Sequence, residues 1–181
     1  IHLVLLISGF LTITGNFTFF EKTLLVYPLF ENLFFLGSLF LFLFTFLAAL
    51  LLLICYRKST KPILILLLLT SSLVSYSTNN YGIVFDHNMI TNTFETDTSE
   101  FLDLVNYKSI LYFLVLGLLP SFIVFKVELK KLKLNAQFLQ RLKYFIVLVV
   151  VFVVVVLSSA KHYTSFAREN RDLRLYINPT Y

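Results

Sequence analysis

Long apolar runs alternate with short polar breaks along the chain, and the run lengths decide its class. Residues 33–56, 62–77, 109–125 and 144–160 carry no charged side chain, and residues 1–20 carry only His2. A bilayer core needs about 20 apolar residues per helix, somewhat fewer where flanking residues reach the interface. The pattern therefore predicts five transmembrane helices at these ranges. Valine dominates residues 144–160; it favours strands in water, but a lone strand in lipid leaves its backbone groups unpaired, so a helix is expected there too. Residues 1–20 lack a basic leader, a small-residue cleavage motif and an opening Met, which favours a true span of a trimmed chain over a signal peptide.

The breaks predict local detail. Residues 21–32 mix Glu21, Lys22 and Glu31 with Leu24, Leu25, Val26, Tyr27, Leu29 and Phe30, which suits a short interfacial element that Pro28 keeps from joining one long helix. Gly117 and Pro120 predict a kink near residues 116–120, because proline removes one backbone bond. In the tail, Lys161, Arg168, Arg171 and Arg174 alternate with Tyr163, Phe166, Leu173, Leu175 and Tyr176. That mixture predicts an amphipathic helix on the outer face, stopping near Asn178 and Pro179, or else a plain juxtamembrane linker.

Composition agrees: 58% of the 181 residues are hydrophobic, 14% are charged, and the mean hydropathy is +0.84. The expected fold class is an all-α membrane protein of five transmembrane helices with periplasmic amphipathic helices. Charge sets the orientation. Arg57, Lys58 and Lys61 fall in one break, and Lys126, Lys130, Lys131, Lys133, Arg141 and Lys143 in another, against Glu128 alone. Basic residues near span ends stay cytoplasmic, which puts the N-terminus inside and the C-terminus outside. Those breaks lack aromatic interleaving, so the net charge of +5 points to anionic lipid headgroups and excludes nucleic acid. With Cys55 as the single cysteine, an intrachain disulfide and a thiolate metal cluster are both excluded.

Residues 85–106, FDHNMITNTFETDTSEFLDLVN, form a polar island holding five of the ten acidic residues. At about 100° per residue, Asn88, Asn92, Thr96, Ser99, Glu100 and Asp103 share one face, opposite Ile90, Phe94, Phe101, Leu104 and Val105. Asn92, Thr96 and Glu100 stack an amide, a hydroxyl and a carboxylate on one stripe, which suits an ammonium group near the membrane surface. Asp97 and Glu100 also have capping-box spacing, which would make Glu100 a backbone partner and break the stripe. His87 beside Asp86 has no paired ligand spacing with His2 or His162, so no metal site is expected in this chain. The chain also lacks a Ser-His-Asp order, a phosphate loop and an HExxH motif, and offers no catalytic nucleophile.

The stretch YGIVFDHNMITNTFETDTSEFLDLVN, residues 81–106, resembles the signature of the phosphoethanolamine transferase family, which includes lipid A modifying and mobilised colistin resistance enzymes. The order of five spans agrees with that family's membrane domain, and LRLYINPTY, residues 173–181, resembles its junction to a catalytic domain. The resemblance implies a division into a five-span domain over 1–160, with a periplasmic helical loop at 79–106, and a bridging segment over 161–181. It also implies an outward-facing domain with zinc and a threonine nucleophile, absent from this chain, without which the chain is expected to be inactive. The implied partners are phosphatidylethanolamine, lipid A, membrane lipids and that catalytic domain, and the implied setting is the bacterial inner membrane. The family pattern carries the donor-headgroup pocket onto Asn92, Thr96 and Glu100. Phe101 departs from it, standing where a small residue is usual. Two other functions compete: a membrane anchor or scaffold without a substrate role, and a small transporter subunit, which the lack of acidic or basic residues within the expected spans disfavours.

Overall fold

The first apolar run does not fold as one straight helix. In the computed structural model, which describes residues 1–56, 58–82, 106–129, 134–170 and 172–177, helix α1 (His2–Gly15) and helix α2 (Phe17–Val26) meet at Asn16 with a bend of 58°. The single span expected over 1–20 is thus corrected to a bent pair. Its second arm takes in much of the stretch expected to lie in the interface and stops two residues before Pro28.

After the turn at Pro28 come α3 (Leu33–Ile54) and α4 (Thr60–Tyr81), each 22 residues and about 33 Å long at 1.5 Å per residue. The next apolar run is α5 (Tyr107–Tyr112), a π-helical turn (Phe113–Leu118) and α6 (Leu119–Lys126) in direct succession. Where a proline kink is expected near 116–120, the chain adopts the wider π turn just before Pro120. Then follow α7 (Leu134–Ser158), α8 (Ala160–Glu169) and a 3₁₀ turn (Asp172–Tyr176). The tail helix therefore ends at Glu169, short of the expected stop near 178. Among the described residues there is no strand, four helical stretches are long and apolar enough to cross a bilayer, and the bent α1–α2 pair makes five.

The packing order follows from which faces are apolar and small. α1 lies between α3 and α4; α7 covers α3, while the π turn and α6 cover α4. α1 buries Val4, Ile7, Ser8, Leu11, Thr12 and Gly15, a stripe at three- and four-residue spacing. The hydroxyls of Ser8 and Thr12 donate to the carbonyls of Val4 and Ser8, both at 2.8 Å, so these buried polar groups stay satisfied without water. Around them Leu47, Ala48 and Leu51 of α3, Leu64 and Leu68 of α4, Val124 of α6 and Leu148 of α7 close the core. The outer faces keep Leu53, Phe125, Val154 and Leu157 exposed, as expected of a surface solvated by lipid.

A second cluster, mostly aromatic, gathers Phe19 of α2, Phe35, Leu39 and Leu43 of α3, and Phe166 of α8. Phe166 is 4% exposed and its ring lies 5.6 Å from Phe35, 5.9 Å from Tyr27 and 6.2 Å from Phe19. Tyr163 packs on Phe35 and Phe42 and donates its hydroxyl to Ser38 Oγ at 3.1 Å. The Lys22 ammonium sits 4.7 Å from the centre of the Tyr176 ring. The segment after the last span is therefore seated on α2 and α3 by ring contacts, a closer association than a plain linker makes.

Candidate functional site

Asn92, Thr96 and Glu100 lie outside the described residues, as do His87 and the Asp97 to Glu100 capping pair. What the structure does describe is the frame from which residues 83–105 leave and to which they return. The leaving point is Gly82, in the left-handed region at φ 64°, where its N–H donates to the carbonyls of Ser77 and Thr78 and ends α4. A side chain would be strained there, so glycine is the residue that lets α4 stop at Tyr81.

The return point is Asn106, the N-cap of α5. Its side-chain oxygen accepts from the Ser109 N–H at 2.9 Å, and its own N–H donates to Ser109 Oγ at 3.0 Å. The same side chain reaches across to α4. The Tyr76 hydroxyl donates to Asn106 Oδ1 at 2.9 Å, Asn106 Nδ2 donates to the Tyr81 hydroxyl at 3.3 Å, and the two tyrosine hydroxyls are 3.4 Å apart. Next to them Asn79 Nδ2 donates to the Tyr112 hydroxyl at 3.4 Å, and the Thr18 hydroxyl donates to Asn79 Oδ1. The Tyr76 ring stands edge-on to Tyr81 at 5.7 Å and to Tyr112 at 5.5 Å.

This neutral network joins α2, α4 and α5 at one end of the bundle. Sequence reading missed it, since tyrosine and asparagine at a span end are unremarkable singly. The available signal was Asn106 three residues before Ser109, an N-cap spacing at the start of an apolar run.

The opposite end is basic. Lys61 Nζ donates to the Phe125 carbonyl at 2.6 Å, in the last turn of α6, and Lys126 lies over the Phe122 ring. Arg141, expected in a loop, stands on α7, which starts ten residues earlier than the charge-free run that predicted it. There Arg141 Nη1 donates to the Leu52 carbonyl at 2.9 Å and the guanidinium lies 5.2 Å from the Tyr56 ring. Leu52 needs that donor because the Tyr56 N–H turns instead to Ser59 Oγ, at 2.9 Å. An open cleft of 1310 Å³ is lined by Ile1 to Leu3, Tyr56, Lys58 to Thr60, Val127 to Leu129, Gln137, Gln140 and Arg141. Among the described residues no three His, Cys, Asp or Glu side chains gather closely enough to hold a metal ion.

Five apolar crossings around a core of small and branched residues, with a polar stretch fastened at one end, define a multi-pass membrane domain. The sequence model of the phosphoethanolamine transferase EptA/EptB family matches residues 43–181, and the chain belongs to this family. It is 37% identical to phosphatidylethanolamine transferase Mcr-1 of Escherichia coli over 98% of this chain and 33% of that protein. Mcr-2 of the same species is 36% identical over 96% of this chain and 32% of that protein. Among solved structures, the lipooligosaccharide phosphoethanolamine transferase A of Neisseria meningitidis superposes with a TM-score of 0.91 at 25% identity, covering 99% of this chain and 34% of that one. The chain thus spans about a third of the length of these relatives and matches their membrane domain.

Proposed function

We propose that this chain is the membrane domain of an enzyme that moves phosphoethanolamine from phosphatidylethanolamine to lipid A and so lowers susceptibility to polymyxins such as colistin. The observation that carries this reading is the family match over residues 43–181, which takes in the whole polar island. Phosphatidylethanolamine as donor is supported by the names of the two Escherichia coli relatives.

Within that reading the five-span domain covers residues 1–160, with its polar loop at 79–106, and residues 161–181 bridge to a catalytic domain. The end carrying Lys58, Lys61, Lys126 and Arg141 faces the cytoplasm of a bacterial inner membrane, and the Tyr76 to Asn106 end faces the periplasm. Glu100 pairs with the donor ammonium while Asn92 and Thr96 hydrogen-bond the headgroup, which holds the phosphodiester at the outer surface. Transfer then takes two displacements. A threonine hydroxyl attacks the donor phosphorus, the bond from phosphorus to the glycerol oxygen breaks, and diacylglycerol leaves with a proton. A lipid A phosphate oxygen next attacks the phosphorus of the phosphoethanolamine-threonine intermediate, the bond from phosphorus to the threonine oxygen breaks, and the threonine oxygen takes up a proton from the acceptor phosphate or water. The resemblance over residues 81–106 assigns zinc and the threonine to the part of the relatives that this chain does not span; when bound, the ion would supply positive charge at the reacting phosphate.

The test is turnover of acyl-labelled phosphatidylethanolamine to labelled diacylglycerol by the full-length enzyme. Glu100→Ala removes a charge-assisted contact and is expected to cost about 10- to 100-fold in kcat/KM, with smaller losses for Asn92→Ala and Thr96→Ala. Unchanged turnover in Glu100→Ala would reject the donor pocket.

A further inference from the structure

We propose that the cleft at the basic end binds one anionic phospholipid of the adjoining leaflet, its phosphodiester held by the first turn of α4, the Thr60 hydroxyl and the charges of Lys58 and Arg141. The cleft lies at the end of the bundle opposite Tyr76 and Asn106, and the inference does not depend on the donor assignment.

The first turn of α4 is the anchor. Ser59 occupies its N-cap without capping it. The Ser59 hydroxyl turns back to Tyr56 instead, accepting from its N–H at 2.9 Å and donating to its carbonyl at 2.7 Å. Pro62 has no N–H, and the Ile63 N–H donates to the Ser59 carbonyl at 3.1 Å. That leaves the N–H groups of Thr60 and Lys61, which have no partner among the described residues. A helix of 22 residues brings the positive end of its dipole to the same point.

Thr60 adds an independent observation. It lines the cleft and is 5% exposed, yet its hydroxyl makes no hydrogen bond among the described residues. The equally buried hydroxyls of Ser8, Thr12, Thr23 and Thr45 each donate to a carbonyl of their own helix. Thr60 starts its helix and has no such carbonyl behind it, so a buried donor stands beside two orphan amides, a set that suits the oxygens of an anion.

Charge selects the anion's source. Arg141 reaches the cleft from α7, a helix that crosses the bilayer; its Nη1 donates to the Leu52 carbonyl, its buried Nε has no partner, and no carboxylate pairs with it among the described residues. A cation at that depth calls for a counter-charge. Lys58 and Arg141 against Glu128 leave one positive charge among the lining side chains, with His2 neutral. A phosphatidylglycerol headgroup neutralises it, whereas a zwitterionic headgroup does not. Leu3, Val127 and Leu129 give the cleft an apolar wall, where the glycerol and first methylenes of a lipid gain contacts that free phosphate lacks.

The experiment counts lipids retained by the full-length enzyme in native mass spectrometry, with dioleoyl phosphatidylglycerol, phosphatidylcholine, phosphatidylethanolamine or inorganic phosphate added to the detergent. The first phosphatidylglycerol is expected to bind at least about tenfold more tightly than either zwitterionic lipid. Lys58→Gln and Thr60→Val are each expected to weaken it about three- to tenfold, the range one hydrogen bond supports, and Glu128→Gln to strengthen it. Thr60→Ser keeps the hydroxyl and is expected to bind as the parent does. Lys58→Gln alters an exposed loop residue, so its result holds should Thr60→Val fail to fold. Equal binding of the three lipids overturns the proposal. So does a loss in Lys58→Gln with none in Thr60→Val, which would mean diffuse surface charge, and so does displacement of the lipid by an equal concentration of phosphate. No readout involves transfer, so failure here leaves the proposed function untouched.

Discussion

Gly117 faces Ser72 so closely that a methyl group at Gly117 would stand 2.6 Å from the Ser72 hydroxyl oxygen and 3.3 Å from its Cβ. The contact joins the π turn to α4, and the Ser72 hydroxyl is turned back onto the Leu69 carbonyl at 2.7 Å. Small residues at such crossings let backbones approach where lipid supplies no hydrophobic drive between helices. Gly117→Ala is therefore expected to overpack the crossing and cost about 1–3 kcal/mol. Thermal unfolding in detergent micelles, followed by circular dichroism, checks it. Adding Ser72→Gly to Gly117→Ala is expected to recover part of the loss, and a double variant no better than the single would show that the crossing adjusts by some other route.

Arg141 gives a second prediction. It supplies the donor that the Leu52 carbonyl lacks, at the C-terminal end of α3, where the helix dipole also favours a cation. Arg141→Met keeps the length and loses the donor, with an expected cost of about 1.5–3 kcal/mol for a bond to a charged group. Arg141→Lys is expected to fall between, since an ammonium reaches a carbonyl but does not stack on Tyr56 as a planar guanidinium does. Equal melting temperatures for the three proteins would remove the capping role.

Phe166 is the keystone of the aromatic seam, touching rings from α2 and α3. Phe166→Ala removes a buried ring, a change that costs about 3–5 kcal/mol in well-packed sites. Much of that cost falls locally on α8, so the sensitive readout is trypsin cleavage after Lys161 and Arg168. Cleavage is expected to speed up strongly in Phe166→Ala and weakly in Phe166→Leu. Parent-like cleavage in Phe166→Ala would mean that the segment is held by something other than the seam.

Tyr163 sets a pH limit. Burial pushes its phenol above the ordinary tyrosine value of about 10, only partly offset by the hydrogen bond to Ser38. Because the neutral phenol is the favoured form in the folded state, its contribution to stability is fully present below pH 10 and is lost as pH rises through the elevated folded value. Ultraviolet titration should show a tyrosinate component ionising above the others that is missing from Tyr163→Phe. A Tyr163→Phe curve that loses a component at or below pH 10 would contradict the burial effect.

Run length and charge made the class and the five crossings legible, because a charge-free run long enough to cross lipid leaves few alternatives. Where the structure departs, single residues explain it. Asn16, following Gly15, ends α1 inside a run that hydropathy reads as continuous. Arg141 and Lys143 broke the charge-free window, yet α7 runs through both, with Arg141 donating to the Leu52 carbonyl at the end of α3. The tail helix stops at Glu169, where Asn170 leaves the helical region at φ −122° and ψ 58°, and the apolar contacts continue in the 3₁₀ turn with Leu173 and Tyr176. Of the candidate site, Asn92, Thr96 and Glu100 were expected from spacing and resemblance and lie outside the described residues, whereas the contacts that hold Asn106 to α4 were not legible. Tyr76, Tyr81 and Asn106 come together only through a contact between segments distant in sequence.

Gly82 and Asn106 are both held by residues outside 83–105, so the points where that stretch leaves α4 and enters α5 are set by contacts the stretch does not supply. A graft of the matching stretch from a relative would meet the same two moorings, and its chemistry could be exchanged while the crossings beneath are left as they are.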